Sequence, residues 1–212
     1  MIKMTSCVLL CGGMSRRMGQ DKGSMKISDK PMIIHILDSL NNIINELVIV
    51  LNDEKRILEY EKIIDETQYN YSIKIIEDEI KDKGPLSGIM TGLKNITGEY
   101  ALVIPCDSPF ISTNFINFMI NKEKSLNKDA LIIYHPTEHD DSIKTKITNS
   151  EPLHSIYSKK LYKNIFELIK NNTLDVKSLI KKINCEFIKI DNKNILKKDV
   201  NNLNTPEDVF KN

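Results

Sequence analysis

Cys7-Val8-Leu9-Leu10-Cys11 is an apolar run that breaks directly into Gly12-Gly13-Met14-Ser15-Arg16-Arg17-Met18-Gly19-Gln20-Asp21-Lys22. A short buried strand that opens into a glycine-rich, basic loop brings backbone N–H groups and cations against a phosphate chain. Gly12 and Gly13 allow a close ligand approach that a Cβ would obstruct, and Arg16, Arg17 and Lys22 supply charge to a polyanion. The run is neither of the two commonest phosphate loops. Gly19 is followed by Gln20-Asp21-Lys22 and not by Lys-Ser/Thr, and the spacing from Gly12 to Gly19 does not fit G-x-G-x-x-G. A surface loop with solvated arginines would explain a Gly-Gly pair alone, but not the whole run after a strand. A nucleotide is the expected guest.

Outward from this loop, strand-like and helical patterns alternate, the signature of a parallel α/β sheet. Strands are expected at residues 4–10, 47–51, 73–76, 100–104, 130–134 and 186–190. Helices are expected at 32–44, with Pro31 in the first turn, and at 54–64, 89–96 and 113–124. Residues 84–88 read as a turn, 135–151 as an irregular polar connection, and 153–180 as helical with a break near Asn171. Thr205-Pro206 marks the start of a terminal helix with Thr205 as its cap. The expected architecture is a single-domain, Rossmann-like α/β fold over 1–212, with a mostly parallel sheet and helices on both faces. Any antiparallel strand is expected after Ala130.

The 212 residues suffice for one substantial core, and 41% hydrophobic and 28% charged residues are ordinary for a globular protein. A net charge of +1 argues against nucleic acid as a partner, so positive charge must act locally. No apolar stretch reaches membrane-spanning length and the N-terminus lacks a signal-peptide core, which makes a cytoplasmic location the default expectation. The four cysteines form no C-x-x-C pair, and free thiols are expected.

Ligands of open α/β sheets bind beyond the carboxyl ends of strands. Four features fall at such ends: the loop 12–22, Asn52-Asp53, Glu77-Asp78 and Pro105-Cys106-Asp107-Ser108-Pro109. Prolines on both sides of Asp107 fix its backbone. A lone hard carboxylate there suits Mg²⁺, which keeps waters and shares ligands with phosphates; the alternative is that Asp107 caps the following turn. Lys22, beside Arg16, fits a point charge on a transferring phosphate. Gly84-Pro85-Leu86-Ser87-Gly88 is either a structural turn or an anion-holding helix start.

These segments together resemble the molybdenum cofactor guanylyltransferases, the MobA family of the nucleotidyltransferase superfamily. Residues 10–22 are similar to that family's L-A-G-G-x-S-x-R-M-G-x-D-K signature, and Cys11 stands where alanine is usual. Residues 84–88 match G-P-L-A-G, 105–109 match P-C-D-x-P, 151–153 match E-P-L, and 202–208 match N-x-N-T-P-E-D. The resemblance implies a nucleotidyltransferase fold in which 1–110 bind nucleotide and 130–212 mainly face a pterin. It further implies that Leu10, Cys11, Gly12, Gly13, Lys22, Asn52, Asp78 and Asp107 hold GTP. Asp53 is the alternative to Asn52. Asp107 also takes Mg²⁺, Arg16 and Lys22 join it in catalysis, and Asn202 and Asn204 face the pterin. The implied reaction joins GMP from GTP to the phosphate of Mo-molybdopterin and releases pyrophosphate, with transient contact to molybdoenzymes or their chaperones. The nearest alternative is the cytidylyltransferase of the same fold. A sugar-1-phosphate nucleotidyltransferase or a non-catalytic nucleotide sensor fits less well. Segment 140–150 matches nothing in the family pattern.

Overall fold

The computed structural model describes residues 5–12, 21–191 and 193–203. Nine strands are found among them: β1 (Ser6–Leu10), β2 (Lys26–Ile27), β3 (Lys30–Pro31), β4 (Glu46–Leu51), β5 (Ser72–Glu77), β6 (Tyr100–Pro105), β7 (Ala130–Tyr134), β8 (Ile156–Ser158) and β9 (Cys185–Lys189). The helices are α1 (Met32–Leu40), α2 (Glu54–Ile63), α3 (Pro85–Asn95), α4 (Thr113–Glu123), α5 (Ile143–Thr148), α6 (Tyr162–Lys170) and α7 (Val176–Ile180). Seven strands form one sheet in the order β5-β4-β1-β6-β8-β7-β9. β5, β4, β1 and β6 run parallel, β7 and β9 pair in parallel, and β8 alone lies antiparallel to both its neighbours.

The apolar runs are continuous because both faces of the sheet are covered. Side chains alternate across it. Cys7 and Leu9 of β1, with Leu47 and Ile49 of β4, pack under Ile33, Ile36 and Leu37 of α1 and Phe115 of α4. Val8, Val48 and Val103 point the other way, under Ile89 and Leu93 of α3 and Ile165 of α6. The α3 crossing is very close. A Cβ at Gly92 would collide with both methyl groups of Val8, so glycine lets this helix lie directly on β1.

Five expectations are corrected. The helix expected at 89–96 starts at Pro85, so Gly84 is its cap and 85–88 belong to the helix and not to a turn. Pro31 ends β3 in an extended conformation and precedes α1 instead of lying in its first turn. The stretch 153–180 is not helical throughout: β8 is inserted before α6, its three residues too few to display a strand's period. The connection 135–151 contains α5, capped by Ser142. The antiparallel member of the main sheet follows Ala130 as expected, but the small hairpin β2–β3 precedes it. The terminal helix expected from Thr205 lies outside the described residues.

Candidate active site

Parallel pairing of β5, β4, β1 and β6 brings all four chemically interesting loops to one edge. The ladder continues past the strand ends. Cys11 N–H donates to Val50 C=O (2.9 Å), Asp78 N–H to Leu51 C=O (2.7 Å) and Cys106 N–H to Leu10 C=O (3.0 Å). Leu10, Cys11, Gly12, Asn52, Asp78 and Asp107 therefore share this edge. Gly13, Arg16 and Asn204 lie outside the described residues.

Lys22 and Asp107 meet here, with Nζ 2.8 Å from Oδ2, across 85 residues of chain. Their side chains are 21% and 16% exposed, so the pair is sheltered but reachable. The second carboxylate oxygen, Oδ1, is buried and has no hydrogen-bond partner among the described residues. An ionised oxygen left that way is costly unless a cation or donor arrives. No group of three or more potential metal-ligating side chains is found among the described residues. The donor set is thus one hard carboxylate, which fits Mg²⁺ completed by water and substrate phosphates better than a metal held in a protein cage.

The loop that carries Lys22 is held from two sides. Met32 and Ile33, at the start of α1, direct their otherwise unpaired N–H groups at Met25 C=O (2.7 Å) and Gly23 C=O (3.0 Å). Behind Lys22, Asp21 Oδ2 accepts from Tyr60 Oη (2.6 Å) and Ser24 N–H (3.0 Å), and the Arg56 guanidinium pairs with Oδ1. Arg56 and Tyr60 lie one turn apart on α2. Their part in fixing the Asp21-Lys22 segment was missed in the sequence, where the residues of α2 read as an ordinary charged amphipathic helix. Burial drives the Tyr60 hydroxyl far above its usual range, so it remains a donor.

Asn52 and Asp53 have different local surroundings. Asp53 caps α2 by accepting from Arg56 N–H (3.0 Å). Asn52 instead abuts Gly12: a Cβ added to Gly12 would collide with Asn52 Oδ1. Asp78 is buried and accepts from Ser87 Oγ and Thr91 Oγ1, each at 2.7 Å, which ties the end of β5 to α3. The Gly84–Gly88 and Glu151–Leu153 segments line one apolar cleft through Pro85, Pro152 and Leu153.

Asp107 is also held from the C-terminal side. Leu203 N–H donates to Asp107 C=O (2.8 Å), and Ser108 Oγ donates to Asn202 Oδ1 (2.7 Å). Ser108 Oγ further lies 2.8 Å from Nε2 of His154, a fully buried residue. Thus Asn202 reaches the Asp107 loop directly at Ser108, which also meets a histidine that the sequence gave no reason to select. Cys11 and Cys106 are free and buried side by side. Burial, then the hydrogen bond with Cys106, pushes the Cys11 thiol well above its usual range, which excludes it as a thiolate nucleophile.

A sheltered lysine–carboxylate pair thus lies beside Gly12 on the carboxyl edge of a parallel sheet, the edge at which open α/β sheets take their ligands. The sequence profile of the MobA-like NTP transferase domain family matches residues 7–186, and the chain belongs to that family. It is 33% identical over 211 residues to a protein of Methanothermobacter thermautotrophicus named "Probable molybdenum cofactor guanylyltransferase", with 99% of each chain covered. A Flavobacterium johnsoniae protein of the same name is 31% identical over 184 residues, covering 86% of this chain and 84% of the relative. The fold superposes on molybdopterin-guanine dinucleotide biosynthesis protein A from Archaeoglobus fulgidus with a TM-score of 0.75 at 21% identity, over 98% of this chain and 96% of that one. The protein is a nucleotidyltransferase.

Proposed function

We propose that this enzyme transfers GMP from GTP to the terminal phosphate of Mo-molybdopterin and releases pyrophosphate. The observation that carries the reading is the Lys22–Asp107 pair with its unpartnered Oδ1, set beside Gly12 and Asn52. A phosphate oxygen of the acceptor attacks the α-phosphorus of GTP, and the bond to the β-phosphate oxygen breaks. A phosphate monoester is already an anionic nucleophile, so no strong general base is needed, in keeping with a His154 that is buried and held neutral beside Ser108.

Each residue then has a defined task. Gly12 and Cys11 present backbone to the nucleotide, Asn52 orients it, and Asp78 holds the end of β5 against α3. Lys22 pairs with Asp107, so the lysine and the carboxylate neutralise one another. With GTP present Lys22 serves the phosphate chain as a point charge. Asp107 is the residue that would hold Mg²⁺; bound there, the ion supplies positive charge that polarises the α-phosphate and stabilises the departing pyrophosphate. Residues 1–110 form the nucleotide side, with Arg16 and Gly13 contributing to phosphate binding. Residues 130–212 form the acceptor side, with Asn202 and Asn204 toward the pterin.

The test is transfer to Mo-molybdopterin by purified protein with GTP, CTP, ATP or UTP, with and without Mg²⁺. GTP should exceed CTP by about a hundredfold, because a wrong base leaves hydrogen-bonding groups unpaired. Preferential use of CTP would make the enzyme a cytidylyltransferase. Transfer from no nucleotide would overturn the reading altogether.

A further inference from the structure

Asp21 and Lys22 are chain neighbours of opposite charge, yet each is paired with a distant partner. Lys22 Nζ lies 2.8 Å from Asp107 Oδ2. Asp21 is engaged at both carboxylate oxygens: Oδ1 pairs with the Arg56 guanidinium, and Oδ2 accepts from Tyr60 Oη (2.6 Å) and Ser24 N–H (3.0 Å). The Arg56 and Asp21 side chains are only 14% and 11% exposed, so salt and water screen this pair less than a surface one. Ser24 Oγ donates back to Asp21 C=O (3.0 Å), which closes the turn around Lys22.

The fit at Tyr60 is close. The residue is fully buried, and its hydroxyl fills the space in which a Cβ of Gly23 would stand. A side chain at position 23 would therefore push the hydroxyl away from Asp21. Gly23 C=O in turn accepts from Ile33 N–H at the start of α1 (3.0 Å). Lys22 thus has on one side in the chain Asp21, bonded to α2, and on the other Gly23, bonded to α1. The arrangement also disposes of a charge that would otherwise interfere. A carboxylate beside Lys22 without a counter-ion would compete with Asp107 for the ammonium and repel a phosphate chain. Arg56 cancels that charge, and Tyr60, kept protonated by burial, donates to it.

We infer that Arg56 and Tyr60 are positioning residues for the transfer reaction: through Asp21 they hold the Lys22 segment in place and absorb the Asp21 charge, which leaves the Lys22 ammonium to Asp107 and to an arriving phosphate. Their effect on the reaction is exerted through Lys22. This inference rests on the reading of Lys22 as a phosphate-side cation given above.

Charge rescue tests it. Arg56→Gln leaves the Asp21 charge uncompensated and should lower kcat for GMP transfer about tenfold, with KM for Mo-molybdopterin within about twofold of wild type. Adding Asp21→Asn removes that charge while keeping an oxygen for Tyr60 and Ser24, and should restore kcat to within about threefold of wild type. In a Lys22→Ala background, Arg56→Gln should cost less than about twofold more, because the residue it acts through is gone. An unchanged kcat in Arg56→Gln, no recovery by Asp21→Asn, or the full loss on top of Lys22→Ala would overturn the proposal. If Arg56→Gln does not fold, Tyr60→Phe enters the same cycle with a loss of about threefold that disappears in Lys22→Ala; a loss that persists there would overturn it equally. Independently of turnover, ¹³C-lysine spectra report how firmly Lys22 is held, its ε-methylene signals assigned by their loss in Lys22→Ala. The two ε protons should have distinct shifts in the wild type and one averaged shift in Arg56→Gln or Tyr60→Phe; the same pattern in wild type and variant would refute the positioning role. If the wild type transfers no GMP to Mo-molybdopterin, the proposed function fails, while the spectra still decide whether α2 positions Lys22.

Discussion

Gly12→Ala tests the nucleotide side of the site more sharply than removal of any charged group. The glycine does not occupy the left-handed region, so alanine brings no backbone strain; its cost is the contact with Asn52. An added Cβ would sit 3.4 Å from Asn52 Cγ, an ordinary distance, but far too close to Oδ1. To regain van der Waals separation the carboxamide must retreat or rotate by roughly 1 Å. A displacement of about 1 Å at a substrate-positioning group can lower turnover by about a hundredfold, roughly 3 kcal/mol of transition-state stabilisation. Only the end of a side chain has to move, so the melting temperature should stay within about 2 °C of wild type. The assay is kcat/KM for GTP in GMP transfer, measured for Gly12→Ala, Asn52→Ala and the double variant. Asn52→Ala removes the atom that collides, so the losses should be less than additive, what remains being the approach that the Cβ itself denies the nucleotide. Full activity in Gly12→Ala, or additive losses in the double variant, would refute the reasoning.

Other outcomes follow from the same geometry. Asp107→Asn should slow single-turnover transfer by about a hundredfold or more, least recoverable at limiting Mg²⁺, while Lys22→Ala should slow transfer yet leave Mg²⁺ dependence largely intact; unchanged rates in folded Asp107→Asn would sink the metal assignment. Gly92→Ala should lower the melting temperature by about 4–8 °C, because overpacking against Val8 outweighs the gain in helix propensity, and Val8→Ala should relieve part of the loss in the double variant. Glu46 is buried at the opposite edge of the sheet. Burial alone would raise its pKa, but hydrogen bonds from Ser6 Oγ, Gly98 N–H and Thr97 N–H hold it below the usual glutamate value. Its contribution to stability is therefore full above the ordinary glutamate pKa and lost as pH falls through the lower native one. The gap in melting temperature between wild type and Glu46→Gln should close on acidification across that window, and a gap independent of pH would contradict the assignment.

What the sequence disclosed follows from how each signal is stored in it. β1, β4 and β6 are short apolar runs ended by glycine, polar residues or proline, so a buried parallel sheet and its carboxyl edge could be read directly. Asp107 stood out because the two prolines around it are local. β8 was hidden because Ile156, Tyr157, Leu161, Ile165 and Leu168 also satisfy a helical period, and three residues of strand cannot compete with that pattern. Asn52 and Asp53 were separable in principle, since Asp53 directly precedes the helical pattern from Glu54 and suits a cap. The roles of Arg56, Tyr60 and His154 had no such local mark. Each depends on a partner brought close only by the fold: Asp21 for the first two, across 39 residues in the case of Tyr60, and Ser108 for His154, across 46.

The bond from Ser108 to Asn202 spans 94 residues of chain, and the adjoining bond from Leu203 closes onto Asp107 itself. On a ribosome adding about 5–20 residues per second, roughly 5–20 s separate the appearance of these partners. For that interval the nascent polypeptide has its glycine loop, Lys22 and Asp107, but not the C-terminal segment that fastens Asp107 in place. Among the described bonds of the Asp107 loop, those from Asn202 and Leu203 are thus the last that a growing chain can form.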